Sequence, residues 1–221
     1  TNNIKNYNDG KNKAHDTFTN GNRCSVWDLT PYDRTLMIDT DYLTLTDTLS
    51  NYWDVDEDLL ISPKYNDIQG TERIGYLDTH ISETGIDMLW ATTVMFTKNE
   101  TTKIFFDLVS HVKEKYKMYS DIYRFNPIIF RNDIAFSIAK HIMNGYQKID
   151  ESNLPDIFST ADTDVLVDVS KERLKFLIAQ NNSDDYVATS VRNKDVHVMN
   201  KFSIMRNYDN LMELAQWRLD I

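Results

Sequence analysis

Apolar and polar positions change period several times along this chain, and each change marks an element. Thr35-Leu36-Met37-Ile38 is an apolar run that meets Asp39-Thr40-Asp41 and resumes as Tyr42-Leu43-Thr44-Leu45. It predicts a strand carrying two carboxylates toward its end. Leu59-Leu60-Ile61-Ser62 predicts a short buried strand, and Met88 to Thr97 (MLWATTVMFT) a longer one. Ile104, Phe105, Leu108, Val109, Val112 and Tyr116 recur at helical spacing, which predicts an amphipathic helix over 100–119. Thr97-Lys98-Asn99-Glu100 supplies capping-box spacing ahead of it. Ile134, Ala135, Ile138, Ala139, Ile142 and Met143 predict a second helix over 132–144, stopped by Gly145. Further on, Val165-Leu166-Val167 reads as a short strand. Leu174, Phe176 and Ile178 alternate with Arg173, Lys175 and Leu177, and a turn at 180–184 leads to Tyr186–Val191 as a hairpin. Ser203 to Leu219 is helical, with Ile204, Tyr208, Leu211, Met212 and Ala215 on one side.

Elsewhere the pattern lapses. Residues 1–22 are rich in Asn, Lys, Asp and Gly without a period, and read as a mobile N-terminal segment. Residues 23–221 then form a single domain. Asp47 to Trp53 suits one or two helical turns, Asp54 to Asp58 is a solvated acidic run, and 63–87 reads as a long loop. Strands and helices alternate in the first part, which favours an α/β architecture with ligands beyond the carboxyl ends of strands.

Composition narrows the function classes. With 41% apolar and 12% aromatic residues the chain can build a sizeable core. A formal net charge of -10 disfavours general binding to nucleic acid or anionic membranes. The single cysteine, Cys24, rules out a disulfide within the chain and fits a reducing, cytoplasmic setting. No run of about 18 apolar residues or signal peptide is evident, so no membrane span is expected.

The chemistry concentrates at Asp39 and Asp41. Aspartate is a poor strand former and is costly to bury unpaired. Two carboxylates on one strand face repel each other unless a cation stands between them, and hard oxygen ligands suit Mg²⁺ or Mn²⁺. The plain alternative is that both cap a loop or pair with Arg34.

The run Arg23-Cys24-Ser25-Val26-Trp27-Asp28-Leu29-Thr30-Pro31-Tyr32-Asp33-Arg34, leading into Thr35–Asp41, resembles the DxD region of GT-A fold glycosyltransferases, closest to the glycogenin-like family 8 group. Asp195-Val196-His197-Val198-Met199-Asn200-Lys201 is similar to that family's C-terminal metal segment. Phe130-Arg131-Asn132-Asp133 is similar to its acidic helix start. The resemblance implies a GT-A-like mixed sheet flanked by helices. It implies Mn²⁺ (or Mg²⁺) held by Asp39, Asp41 and His197 and bridging to the diphosphate of a nucleotide-sugar donor. It further implies that Arg23 and Lys201 contact the donor, with Thr92 and Asn132 beside it, and that Asp133 is a catalytic residue facing the sugar and an unidentified acceptor. Thr92 and Thr93 stand where the family often shows Asn and Gly. The family's base-binding βα units would lie upstream of the Asp39 strand, so the chain, which opens on Thr, reads as a fragment, a processed form or a trimmed form.

Two other readings start from the same residues. In a haloacid-dehalogenase-type phosphatase, Asp39 would attack phosphate and Asp41 act as acid, with Asp162 and Asp164 as the later acidic pair. In a non-catalytic GT-A-like remnant, the site would bind a sugar or a partner without turnover. His111 and His141 are expected at the surface or between helices, and Tyr42, Trp53, Trp90 and Tyr123 chiefly in packing.

Overall fold

The computed structural model describes residues 3–8, 13–18, 21–70, 79–82, 85–148, 154–171, 173–180 and 184–219, the first two stretches through their backbone alone. In chain order, β1 (Asn3–Asn8) and β2 (Lys13–Phe18) are followed by a 3-10 turn (Arg23–Ser25) and the short helix α1 (Val26–Leu29). Then come β3 (Arg34–Ile38), β4 (Tyr42–Leu43), a second 3-10 turn (Thr48–Tyr52), β5 (Leu59–Ser62), β6 (Tyr65–Asp67) and β7 (Trp90–Thr97). Helices α2 (Glu100–Glu114), α3 (Tyr116–Tyr123) and α4 (Asn132–Met143) follow. The remainder is β8 (Ile157–Ser159), β9 (Val165–Val169), β10 (Leu174–Ala179), β11 (Tyr186–Val191), β12 (Val196–His197), α5 (Lys201–Arg206) and α6 (Tyr208–Leu219).

The class is mixed α/β, as the pattern predicts, but the strands fall into several sheets. β3, β7 and β5 form an antiparallel sheet in that order, so the strand leading to Asp39 does not sit in a parallel array. The second sheet, in the order β4-β12-β8-β6, supplies the parallel pairs, β12 with β8 and β8 with β6. β9, β10 and β11 make an antiparallel meander. The N-terminal segment also departs from expectation, because β1 and β2 pair along their whole length. Ladder bonds are main-chain bonds, so a two-stranded ribbon forms without apolar alternation. Within the long loop expected at 63–87, β6 supplies regular structure, and residues 71–78 lie outside the described residues, as does the 181–183 part of the predicted turn.

The hydrophobic positions collect into two clusters. The larger joins β5, β7, α2 and α4. Phe96, Phe105 and Phe136 are fully buried, and Phe106 packs edge-on against all three, with ring centroids 4.8 Å, 5.2 Å and 6.0 Å away. The smaller comprises Leu166, Leu174, Phe176, Ile178, Val191, Val196 and Val198, with Ile204 and Leu211 packed against it. β7 is buried along nearly all its length, which fits its continuous apolar run and its place between two strands.

Local chemistry moves several element boundaries. The cap of α2 is Asn99, whose side chain accepts from Thr102 N–H while Thr102 Oγ1 accepts from Asn99 N–H. The box is therefore two residues later than Thr97 and closes with Thr rather than Glu. The predicted 100–119 helix breaks at Lys115, where Tyr116 turns onto Phe125 and Phe130 with centroids 5.0 Å and 4.9 Å away. The predicted C-terminal helix divides at Asn207, whose Nδ2 donates to the Leu166 and Ser203 carbonyls, both at 2.8 Å. That residue spends its side chain on β9 and on the preceding turn instead of solvent. Among the described residues no helix is long and apolar enough to cross a membrane.

This packing makes a clear stability contrast. Phe105→Ala should cost about 3–5 kcal/mol, seen as a lower urea midpoint at unchanged slope. Ile104→Ala, at a neighbouring position that is 52% exposed, should stay within about 0.5 kcal/mol of the parent.

Candidate metal centre

β3 does not carry both aspartates on one face. It ends at Ile38, and the chain turns. Asp39 N–H donates to the Thr92 carbonyl at 2.9 Å, and Tyr42 N–H returns to the Asp39 carbonyl at 3.0 Å. Asp39–Tyr42 is thus a four-residue turn, to which short polar side chains are better suited than to a strand. β4 then leaves the first sheet and pairs with β12, Tyr42 opposite His197, while Val198 N–H donates to the Asp41 carbonyl at 2.8 Å. Tyr42 belongs to the larger hydrophobic cluster and Leu43 packs against the smaller. The carboxylate pair therefore sits where the chain crosses from one cluster to the other.

Around it, charges alternate. Asp39 Oδ1 pairs with the Arg23 guanidinium, which also donates to the Ala91 carbonyl. Asp39 Oδ2 is 3.8 Å from His197 Nε2. Asp41 Oδ1 is 3.2 Å from the same nitrogen, and Asp41 Oδ2 is 3.5 Å from Lys201 Nζ. Each carboxylate thus gives one oxygen to a cationic side chain and turns the other toward the imidazole. One ligand atom from each of Asp39, Asp41 and His197 lies within 4.8 Å of the others. Arg34, the partner offered by the plain reading, instead reaches Thr97 Oγ1 and the Tyr52 carbonyl.

Burial sets the electrostatics. Desolvation alone would raise the Asp41 carboxyl, but the His197 hydrogen bond and charge, with Lys201, outweigh it and hold Asp41 down at about 2. Burial pulls the Arg23 guanidinium below its ordinary value, and the Asp133 and Asp41 charges pull it back up. Burial also pushes the Tyr42 hydroxyl upward, with Asp195 adding to the effect.

The other expected residues gather on the Arg23 side. Asp133, in the first turn of α4, accepts from Ala91 N–H at 2.9 Å and lies 3.4 Å from Arg131. Asn132 is buried beside it. Thr92 reaches the site through its carbonyl, and its own side chain is buried. Two anchors were not singled out by pattern. Ser137 Oγ donates to the Asp133 carbonyl and accepts from Leu89 N–H, both at 2.7 Å, which fastens α4 to the start of β7. Asp195 Oδ1 accepts from Leu45 N–H (2.6 Å), Thr46 N–H (2.7 Å) and Thr46 Oγ1 (3.0 Å). An aspartate directly before the buried Val196-His197-Val198 run was the available signal. Among the remaining histidines, His141 Nδ1 lies 3.2 Å from Tyr123 Oη between helices, and His80 pairs with Asp87 at 3.3 Å. Trp90 and Tyr42 are buried in packing, whereas Trp53 is exposed.

The donor set suits a hard divalent cation, two carboxylates with one imidazole. His197 Nδ1 is buried with no hydrogen-bond partner among the described residues. Nε2 therefore either carries a proton toward Asp41 or presents its lone pair to a cation, with the proton on Nδ1. Comparison of the chain with family models, with curated proteins and with solved structures finds no match.

The depressed Asp41 value has a definite sign. Its contribution to stability is complete above the ordinary carboxylate value of 3.8 and fades as pH falls through about 2. With divalent metal chelated, acid unfolding should show a loss of about 2 kcal/mol across that window. Asp41→Asn should flatten it in pH-dependent urea titrations.

Proposed function

We propose that this chain is a metal-dependent glycosyltransferase of GT-A-like architecture. It moves a sugar from a nucleoside-diphosphate donor to an acceptor whose identity the residues leave open. The observation that carries the reading is the convergence of Asp39, Asp41 and His197, with Lys201 at the edge of the same group. These residues come from two distant stretches of sequence and meet through the β4–β12 bridge.

In this reading Asp39, Asp41 and His197 hold Mn²⁺ or Mg²⁺, and the imidazole tips the choice toward Mn²⁺. An ion held there would supply Lewis-acid neutralisation of diphosphate charge. Lys201, on the first turn of α5, adds a compact positive charge on the Asp41 side. Arg23 does the same on the Asp39 side and is held in place by the Ala91 carbonyl. Asp133 acts as a positioning residue. Its carboxylate fixes Ala91 through the main-chain N–H, and Ala91 in turn fixes Arg23. Thr92 sets the turn at Asp39, and Asn132 fills the start of α4 beside it. The lone Cys24 accords with a cytoplasmic activity, where thiols stay reduced.

The phosphatase reading draws less support. The Arg23 ion pair lowers the nucleophilicity of Asp39. Asp164 uses its oxygens on the Ala161 and Ala179 N–H groups, at 2.7 Å and 3.0 Å.

Manganese titration by calorimetry, alone and with nucleoside-diphosphate sugars, tests the reading. Asp41→Ala and His197→Ala should each weaken Mn²⁺ binding by at least roughly 100-fold and abolish metal-dependent turnover of the donor. Full turnover in Asp41→Ala would sink the proposal.

A further inference from the structure

The β9–β10–β11 meander has two edges of unlike character. The β9 edge is defended. Its pairing with β10 shifts register between Lys175 and Phe176, it carries Asp168, and both α5 and α6 touch it. Among the described residues the β11 edge shows no register shift and no charge within the strand. Tyr186-Val187-Ala188-Thr189-Ser190-Val191 holds no charge, proline or glycine, and its register with β10 is unbroken. Tyr186 is 42% and Val187 45% exposed, a large apolar share for an edge strand.

The outward main-chain groups are identifiable. Gln180 N–H donates to the Asp185 carbonyl at 3.0 Å, so Asp185 bonds toward β10, and the ladder repeats every second residue through Val187, Thr189 and Val191. The N–H and carbonyl groups of Tyr186, Ala188 and Ser190 therefore point away from the sheet. Asp184 precedes the strand and Arg192 follows it, both exposed.

We propose that β11 pairs antiparallel with β11 of a second copy of this chain about a two-fold axis at Ala188. A two-fold axis within an antiparallel pair must set one residue opposite its own copy. With Ala188 at the centre, two outward-facing residues meet and exchange both main-chain bonds. Tyr186 falls opposite Ser190, and Asp184 opposite Arg192 at each end, so the strand is complementary to itself in charge. A register about Val187 sets Asp184 opposite Ser190. A register about Thr189 sets Asp184 opposite Lys194, beyond the left-handed bend at Asn193 (φ 49°), and Lys194 Nζ already lies 3.9 Å over the Phe158 ring. Of these three registers, only the Ala188 register sets Asp184 opposite a cationic residue without reaching past the bend at Asn193, the two charges lying just outside the ends of β11. This proposal is independent of the metal-centre reading.

Sedimentation velocity of the full chain over a concentration series tests it, with circular dichroism as the control for folding. A concentration-dependent dimer is expected, and a monomer throughout would overturn the proposal. Ala188→Pro removes one outward N–H and leaves the β10 ladder intact, so it should shift the protein to monomer. Asp184→Arg should weaken the dimer by about tenfold through two like-charge pairs, and adding Arg192→Asp should restore it. A dimer unmoved by these changes would place the interface elsewhere, and failure of the double variant to restore pairing would overturn the Ala188 register.

Discussion

Holding two carboxylates against one imidazole sets up a repulsion that the surrounding chain must compensate, and much of the local architecture follows from how it does so. Asp39 and Asp41 direct one oxygen each toward His197 Nε2, at 3.8 Å and 3.2 Å. Their other oxygens require positive charge from the protein, because a buried, unpaired carboxylate is costly. Arg23 arrives from the 3-10 turn that precedes β3, and Lys201 from the start of α5. Ala91 and Asp133 then hold Arg23 in place from β7 and α4. Segments far apart in sequence are thus drawn to one point by charge, at the crossing between two apolar clusters.

That crossing also explains the shape of the fold. A continuous strand through 35–45 would keep both aspartates in the antiparallel sheet beside β7. The turn at Asp39 instead sends β4 to a different sheet, where β12 brings His197. The two clusters share this piece of chain, Tyr42 lying in one and Leu43 packing against the other, directly after the carboxylate pair.

Sequence reasoning found the elements whose burial imposes a period. β5, β7, α4 and the β10–β11 hairpin follow directly from their apolar spacing, whereas the union of Asp39, Asp41, His197 and Lys201 was expected only through the resemblance of the two segments to the GT-A glycosyltransferases. What pattern missed lay in side chains bonding to the backbone. Asn99 captured the cap that Thr97 was expected to hold. Asn207 divided the last helix by reaching β9, and the Asp39 turn replaced a strand. Such competition between side chain and main chain has no period, so hydrophobic spacing carries no trace of it.

The three bonds accepted by Asp195 bear on a different question, that of alignment. β4 and β12 are each two residues long, too short for their own ladder to specify which residue faces which. A slip of one position would turn His197 to the opposite side of the sheet and leave the aspartates facing Val196 or Val198. By gripping Leu45 and Thr46 beyond the end of β4, Asp195 acts as a gauge that admits a single alignment of the two strands. The spacing of the charged group is thereby set by a residue that does not belong to it.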